Sequence, residues 1–403
     1  MSDIATWLDA QADAQVAFLT ALVRAPSDNP PGDLAGHGAM TADLIERMGL
    51  SVERLPVPDA DCAAVGMVSA TNLIVRHRFG DGPTVALNAH GDVVPPGDGW
   101  SHDPYGAEVD AEGWMYGRGI AVSKSDIATY LFALRALIET GARLNGTLEL
   151  HVTYDEEVGG RIGPGLLLAK GHSDPDFAIC PGFSYDVVVA HGGCLQLEVT
   201  VRGRSAHAAW PETGIDALRG TMPILQAIYD LNHELAKQHS KVEGIASPTV
   251  VVGRIDGGTN TNVVPDRVSL RLDRRIIPEE DPEAAEDALR ALIAEAAPAD
   301  VQVSVERLLL ARPMPFLAGA ERLSEPLKRH AARVLDQPVG EAGVPIYADA
   351  RHYTEAGIPT VMYGAGPKDP LEANGHRADE RIRLTDLRAA TEVVACALAD
   401  LLL

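Results

Sequence analysis

The sequence contains few cysteines, no long hydrophobic run and a shortage of positive charge. Its four cysteines form no CxxC pair, so we expect reduced thiols in a cytoplasmic protein rather than a disulfide framework. No apolar run reaches the ~18 residues that a membrane helix requires, and residues 1–24 carry acids where a secretory signal carries bases. The 57 acidic and 34 basic residues give a net charge of −23, which argues against nucleic acid or a membrane surface as the main partner.

Hydrophobic periodicity predicts a mixture of strands and helices in the first half of the chain. Residues 84–89 form a short apolar run that is typical of a buried strand, and residues 148–154 alternate between apolar and polar types. Between these two segments, the apolar residues from Ile127 to Ile138 fall on one helical face. Helices that alternate with short apolar strands indicate an α/β sheet.

From Cys194 onward the pattern predicts a second, smaller domain. Strands are expected over residues 195–201, 249–255, 267–275 and 301–308, with helices over residues 215–235 and 282–296. That order, βαββαβ, is the ferredoxin-like motif. We therefore expect a larger α/β domain formed by residues 1–193 and 312–403, into which residues 194–311 are inserted as a separate domain.

Three polar clusters are candidates for chemistry. His90-Gly91-Asp92 follows the strand at 84–89, Asp155-Glu156-Glu157 follows the strand at 148–154, and His376 lies near the C-terminus. Ligands of open α/β sheets bind beyond the C-terminal ends of the strands, and neighbouring imidazole and carboxylate groups can bind a metal and activate water. Each cluster alone also has an ordinary interpretation, as a structural histidine, an acidic loop or a surface histidine.

Together the clusters resemble the acetylornithine deacetylase / succinyl-diaminopimelate desuccinylase family, which includes aminoacylases and glutamate carboxypeptidases. The resemblance covers nearly the whole chain and rests on the following motifs: His90-Gly91-Asp92-Val93-Val94-Pro95, Tyr116-Gly117-Arg118-Gly119, Asp155-Glu156-Glu157-Val158-Gly159-Gly160, Gly203-Arg204-Ser205-Ala206-His207, residues 257–266, Asp273-Arg274-Arg275, Asp349-Ala350-Arg351 and His376. It implies an α/β fold with a mixed-sheet, zinc-peptidase-like catalytic domain and an inserted ferredoxin-like lid. It also implies that two zinc ions, which share a bridging carboxylate and a water, split an amide next to an α-carboxylate.

The resemblance implies roles for five residues of the larger domain. His90 resembles a ligand of one metal ion, and Glu157 and His376 resemble ligands of the other. Asp92 resembles the residue that orients the site, and Glu156 resembles the base that takes the proton of the water.

The same resemblance implies roles in the lid and in substrate binding. His207 resembles the lid histidine that polarises the scissile carbonyl, often from the partner subunit, so we expect a homodimer formed through the lid. Asn262, Arg275 and Arg351 resemble groups that hold the substrate and its carboxylate. This role suits arginine because a guanidinium can bind a carboxylate through two parallel hydrogen bonds. An ordinary surface ion pair is the alternative for both arginines.

The sequence departs from the family at two metal-ligand positions. Val122 stands where the family has its bridging aspartate, and Pro181 stands where it has an acidic ligand. Two dications ~3.5–4 Å apart need bridging anions, so the usual pair is not expected. Asp126, a Cys180 thiolate or the Ser123-Lys124 cluster could compensate, although a helix-start acid and a buried hydrophobe are the simpler interpretations of the first two.

Three hypotheses follow from these observations. The first is a hydrolase that cleaves an amide of an N-acyl amino acid or small peptide with a free carboxylate, using zinc, manganese or cobalt in a reduced or atypical number. The second is a hydrolase, lyase or isomerase without metal, in which Glu156 and His207 act on a small carboxylate substrate. The third is a non-catalytic binding homologue. We favour the first because the remaining residues of the family's site are all present.

Overall fold

The computed structural model describes residues 2–369 and 371–403 of the chain. One compact unit contains the residues up to Val189 together with Phe316–Ala342 and Ala348–Leu403, and the second contains Ala190–Pro315 with Gly343–Tyr347. The predicted insertion, 194–311, is shorter at both ends than the second unit, and its role as a lid stays a prediction. Within the described ranges, every helix is too short or too polar to cross a membrane.

The chain order of the elements shows helices between strands in both units. The strands are β1 (Val52–Pro56), β2 (Thr71–Arg78), β3 (Thr84–His90), β4 (Glu108–Val109), β5 (Trp114–Tyr116), β6 (Thr147–Thr153), β7 (Phe177–Cys180), β8 (Asp186–His191), β9 (Gly193–Arg202), β10 (Thr249–Gly257), β11 (Arg267–Ile276), β12 (Gln302–Ala311), β13 (Gly340–Val344), β14 (Thr360–Met362) and β15 (Arg381–Arg383). The helices are α1 (Ser2–Ala10), α2 (Ala12–Arg24), α3 (Ala35–Arg47), α4 (Asp59–Ala64), α5 (Ser125–Glu139), α6 (Pro164–Ala169), α7 (Ala217–Leu235), α8 (Pro282–Ala296), α9 (Glu321–Leu335), α10 (Ala350–Glu355) and α11 (Leu384–Leu401).

The large sheet is mixed, as predicted. Among the described residues it has eight strands in the order β1-β2-β6-β3-β7-β14-β8-β13. β3 pairs in parallel with both β6 and β7, and its residues are buried almost throughout, as expected for a parallel strand that is covered on both faces. The helix predicted between β3 and β6 is present as α5, and most of its residues are buried. The predicted α/β fold class is thus confirmed.

Parallel pairing brings the first two polar clusters together. His90, the last residue of β3, lies opposite Thr153, the last residue of β6. Because the two strands run in the same direction, the segments that follow them leave the sheet at the same edge. These segments carry Asp92 and Asp155–Glu157, so the sheet register itself positions the acidic groups beside the histidine.

A small three-stranded sheet anchors the segment that follows His376. Its order is β15-β5-β4, and Ile382 of β15 pairs with Met115 of β5. Since β15 begins five residues after His376, this pairing ties the histidine loop to the chain segment that leads into the Gly117–Gly119 motif.

The second unit has the predicted ferredoxin-like topology. Its elements follow the order β9, α7, β10, β11, α8, β12, and its strands form an antiparallel sheet in the order β10-β11-β9-β12. In β9, buried Leu197 and Val199 alternate with the more exposed Gln196 and Glu198, which is the period of a strand with one covered face. Asp216 caps α7 by accepting backbone N–H bonds from its first turn.

Candidate metal and catalytic site

His90 is buried at the end of β3 and has a fixed ring orientation. Its Nδ1 lies 2.9 Å from the backbone oxygen of Asp92 and 3.3 Å from Asp92 Oδ1. Its Nε2 lies 3.9 Å from Glu156 Oε2. Metal-binding histidines commonly use one ring nitrogen in this way to donate to a carbonyl or carboxylate, which leaves the other nitrogen for the ion.

Asp92 is fully buried and organises the carboxylate loop. Its Oδ1 accepts the N–H of Glu156 at 3.3 Å, and its Oδ2 accepts the N–H of Glu157 at 3.1 Å. Asn29 Nδ2 donates to Oδ2 at 3.0 Å. The geometry agrees with an orienting role for Asp92. Asn29 was missed by the sequence analysis, because nothing in the Asn-Pro-Pro turn that contains it points to a contact 63 residues away.

Three of the predicted residues converge on one small volume. Ligand atoms of His90, Glu156 and Glu157 lie within 4.8 Å of one another. Among the described residues, these three side chains form the one group of His, Cys, Asp or Glu that could hold a metal ion. His376 Nε2 lies 3.3 Å from Glu157 Oε1, so the last predicted ligand adjoins the same cluster. The sequence predicted His90, Glu157 and His376 as ligands and Glu156 as the base, and the structure places all four side by side.

The cluster is rich in buried acid. Burial raises the pKa of Glu156 to about 8 against the opposing charge of His90. Burial lowers the pKa of the His90 imidazole, but the hydrogen bond with Asp92 and the neighbouring carboxylates outweigh it, and the pKa lies well above its usual value. Burial also raises the pKa values of Asp155 and Asp349, and repulsion from Asp349 adds to the first and repulsion from Glu156 to the second. So many acids around one imidazole create a field that favours a bound cation.

The two departures from the family remain departures in three dimensions. The side chain of Val122 offers no donor atom, and its backbone N–H donates to Glu380 Oε1 at 3.1 Å. Asp126 is buried and its Oδ1 accepts the N–H of Ala365 at 2.8 Å, while burial raises its pKa to about 7. Cys180 is buried, and burial raises the pKa of its thiol well above the usual value, which disfavours a thiolate ligand.

The Ser123-Lys124 cluster is used by the backbone around it. Ser123 Oγ lies 3.2 Å from the N–H of His90, from which it accepts. Lys124 Nζ donates to the carbonyls of Leu22 and Ala25 at 2.9 and 3.2 Å. The two side chains therefore serve different partners, and their geometry is not that of a nucleophile held by a lysine base.

The predicted lid residues lie in the second unit. The backbone of His207 forms a bridge with Val263, and the N–H of Ala208 donates to the carbonyl of Asn262 at 2.9 Å, so His207 and Asn262 are neighbours within that unit. Both side chains are exposed. Arg275 lies in β11 and its Nε donates to Asp273 Oδ1 at 2.8 Å.

Arg351 differs from the other predicted substrate-binding residues because it is buried. It lies in α10 of the first unit, where Nη2 donates to the carbonyl of Gly159 and Nη1 donates to Glu355 Oε1 at 3.3 Å. Gly159 follows Glu157 by two residues, so the guanidinium supports the end of the carboxylate loop. The prediction that Arg351 also binds the substrate carboxylate stays a prediction.

Comparisons with known proteins found similar sequences and similar folds. The sequence matches the family described as Peptidase family M20/M25/M40 over residues 86–400. It is 30% identical over 395 residues to a succinyl-diaminopimelate desuccinylase of Gluconacetobacter diazotrophicus, covering 94% of this chain and 95% of that protein. Two solved structures share its fold: a di-peptidase from Saccharomyces cerevisiae (TM-score 0.80, 13% identity, 99% and 98% of the two chains) and an M20 family metallo-carboxypeptidase from Sulfolobus solfataricus (TM-score 0.77, 16% identity, 96% and 98%).

Proposed function

The chain belongs to peptidase family M20/M25/M40 and is an amidohydrolase or peptidase; from this premise we propose that it cleaves the amide bond of an N-acyl amino acid or small peptide that bears a free carboxylate. The observation that carries the proposal is the cluster of His90, Glu156 and Glu157 at two parallel strand ends, with His376 beside it. The desuccinylase relative, which by its name removes the succinyl group of succinyl-diaminopimelate, supports the class of substrate.

We propose that the site holds fewer than two of the family's usual ions, with zinc the first choice and manganese or cobalt the alternatives. One imidazole and several carboxylate oxygens form a donor set that suits these ions, and the surrounding acids favour a cation. A second, bridged ion lacks its donors, because Val122 and Pro181 carry none. Glu157 and His376, with His90 nearby, would hold a divalent cation, and the ion would act as a Lewis acid toward the substrate.

The chain's own residues perform the proton transfer in this proposal. In its ionised form, Glu156 takes a proton from the attacking water, for which it is placed by its backbone bond to Asp92 and by its contact with His90. Asp92 keeps the backbone of the two glutamates and the imidazole in one arrangement, since it accepts the N–H groups of Glu156 and Glu157 and lies beside the His90 ring. Holding a base and a reactant in the reacting geometry lowers the barrier of the chemical step.

Substrate binding is assigned to the second unit and to Arg351. In the proposal, His207 polarises the scissile carbonyl, while Asn262, Arg275 and Arg351 bind the remaining polar groups and the carboxylate. The ion pair between Arg275 and Asp273 occupies part of that guanidinium, so a substrate carboxylate would have to share it or displace the aspartate. The exposure of His207 and Asn262 leaves both able to reach a ligand.

The second unit also offers a surface for a second copy of the chain. β10 is an edge strand with exposed Val251 and Ile255 (52% and 53%), and the neighbouring helix α7 exposes Met222 and Tyr229 (63% and 48%). Unpaired strand edges and apolar groups of this kind are commonly covered by another chain. We propose that they form the homodimer interface.

The test is a metal titration of the purified chain with a panel of N-acyl amino acids and dipeptides. Removal of metal by a chelator should abolish turnover, and zinc should restore it at fewer than two equivalents per chain, as counted by elemental analysis. Glu156→Gln should abolish turnover while it preserves the fold. Turnover that survives the chelator but disappears in Glu156→Gln would instead support the metal-independent hypothesis, and tight binding without turnover would support the binding homologue.

A further inference from the structure

The structure assigns a positioning role to the buried ion pair of Arg118 and Glu380. We propose that this pair holds the loop of His376 in a fixed place relative to the strand end that carries His90. The inference rests on the proposed function, because the position of His376 matters only if the cluster binds a cation or a substrate. Neither Arg118 nor Glu380 contacts the cluster directly in the proposal; they act through the backbone.

Glu380 connects the histidine loop to the segment before α5. Its carboxylate is fully buried. Oε1 accepts the backbone N–H groups of Ala121 and Val122 at 3.0 and 3.1 Å, and Oε2 accepts Arg118 Nη1 at 2.5 Å. A single carboxylate thus fixes the segment in which the family carries its bridging ligand.

Arg118 connects two further segments to the same point. Its side chain is 1% exposed, and its Nη2 donates to the carbonyls of Pro96 and Arg377, both at 3.1 Å. The ring of Trp100 covers the guanidinium at 5.2 Å. The planar fork of arginine makes this possible, since one side chain can bind a carboxylate and two carbonyls at fixed angles.

The histidine loop has a backbone that needs such support. Asn374, His376 and Asp379 all have positive φ, of 50°, 61° and 57°. Residues other than glycine seldom adopt this backbone region unless the surrounding structure enforces it. Arg118 binds the carbonyl of the residue that follows His376. Asp379 Oδ1 accepts the N–H of Ser101 at 2.9 Å, which secures the loop at a second point.

The other end of the connection reaches His90. The segment that Glu380 holds continues to Ser123, whose hydroxyl is hydrogen-bonded to the backbone of His90. His376 and His90 are therefore joined through the Arg118–Glu380 pair by hydrogen bonds and by the peptide bonds to the neighbouring residues Arg377 and Val122. Buried ion pairs contribute little net stability compared with apolar residues of similar volume, which makes a geometric role the better explanation of this one.

The experiment compares Glu380→Gln and Arg118→Lys with a matched control. Glu380→Gln keeps the shape of the side chain but replaces its ion pair with Arg118 by a weaker, uncharged hydrogen bond. Arg118→Lys keeps the charge but cannot span both carbonyls, and it remains informative if the first variant does not fold. Glu286→Gln is the control, because Glu286 is also buried and binds two arginines, Arg290 and Arg307, in the second unit.

Three readouts are measured: hydrogen–deuterium exchange by peptide, the Kd for Co²⁺, and kcat and KM separately. Both test variants should raise exchange in residues 118–124 and in residues 371–380 together, and weaken Co²⁺ binding by about 10–100-fold, with a lower kcat and little change in KM. The control should raise exchange only within α8 and β12 and leave Co²⁺ binding unchanged.

Failure of the inference and failure of the proposed function give different results. If both test variants bind Co²⁺ as the unaltered chain does, or raise exchange in residues 118–124 alone, the positioning role is wrong. If the unaltered chain neither binds Co²⁺ nor hydrolyses any substrate, the proposed function is wrong, whereas coupled exchange in the two segments would still support the connection between them.

Discussion

Substitution of Asp92 by Asn tests the central piece of the site. The carboxylate of Asp92 accepts three N–H groups, from Asn29 and from the backbones of Glu156 and Glu157, and lies beside the His90 imidazole. The amide has the same shape but one oxygen. If that oxygen takes the Oδ2 position, it keeps the bonds to Asn29 and Glu157, and its NH₂ group then faces the N–H of Glu156.

The expected cost follows from this geometry. One charge-assisted hydrogen bond is lost, and one partly buried N–H is left without an acceptor, which together lower the free energy of unfolding by about 2–3 kcal/mol. The displaced N–H belongs to Glu156, the proposed base. A shift of the base by about 1 Å can lower the rate about 100-fold, so we expect kcat/KM of Asp92→Asn to fall by about that factor.

The assay pairs urea unfolding, followed by circular dichroism, with steady-state kinetics on metal-loaded protein. Glu286→Gln is the matched control, because Glu286 is also buried and accepts hydrogen bonds from Arg290 and Arg307, in a part of the second unit that the proposal does not use. The control should lose stability but keep kcat/KM. Equal losses of activity in the two variants, or wild-type kinetics in Asp92→Asn, would refute the reasoning.

Three further predictions concern metal content, pH and assembly. Val122→Asp restores a carboxylate at the family's bridging position and should raise the zinc bound per chain, as measured by elemental analysis and calorimetry; an unchanged zinc content would contradict this. Burial lowers the pKa of His37 to about 3 from 6.5, so the unfolded state binds the extra proton and stability is lost as pH falls from 6.5 toward 3. The free energy of unfolding should fall by about 1.4 kcal/mol per pH unit over this range. Denaturant unfolding at several pH values should show this dependence in the unaltered chain and a weaker one in His37→Gln. Met222→Glu places a charge in the proposed interface and should shift sedimentation from dimer to monomer. If the unaltered chain already sediments as a monomer, the proposed homodimer is wrong.

Much of the site followed from the sequence because its groups stand at strand ends. The apolar run before His90 and the alternation before Asp155 predicted β3 and β6, and the parallel register of these strands then required their following segments to meet. The topology of the second unit was equally accessible, since its six elements follow the order that the sequence pattern predicted. The altered ligand positions, Val122 and Pro181, could be read directly from the motifs.

The sequence by itself determined which groups are available for chemistry and which strands carry them. Only the tertiary structure decided that Asn29 binds Asp92, that Arg118 binds Glu380 across 262 residues of chain, and that Arg351 is buried against the carbonyl of Gly159. The physical reason is that local periodicity depends on residues a few positions apart. A hydrogen bond between distant loops depends on the register of the whole sheet and on which polar atoms burial leaves in need of a partner.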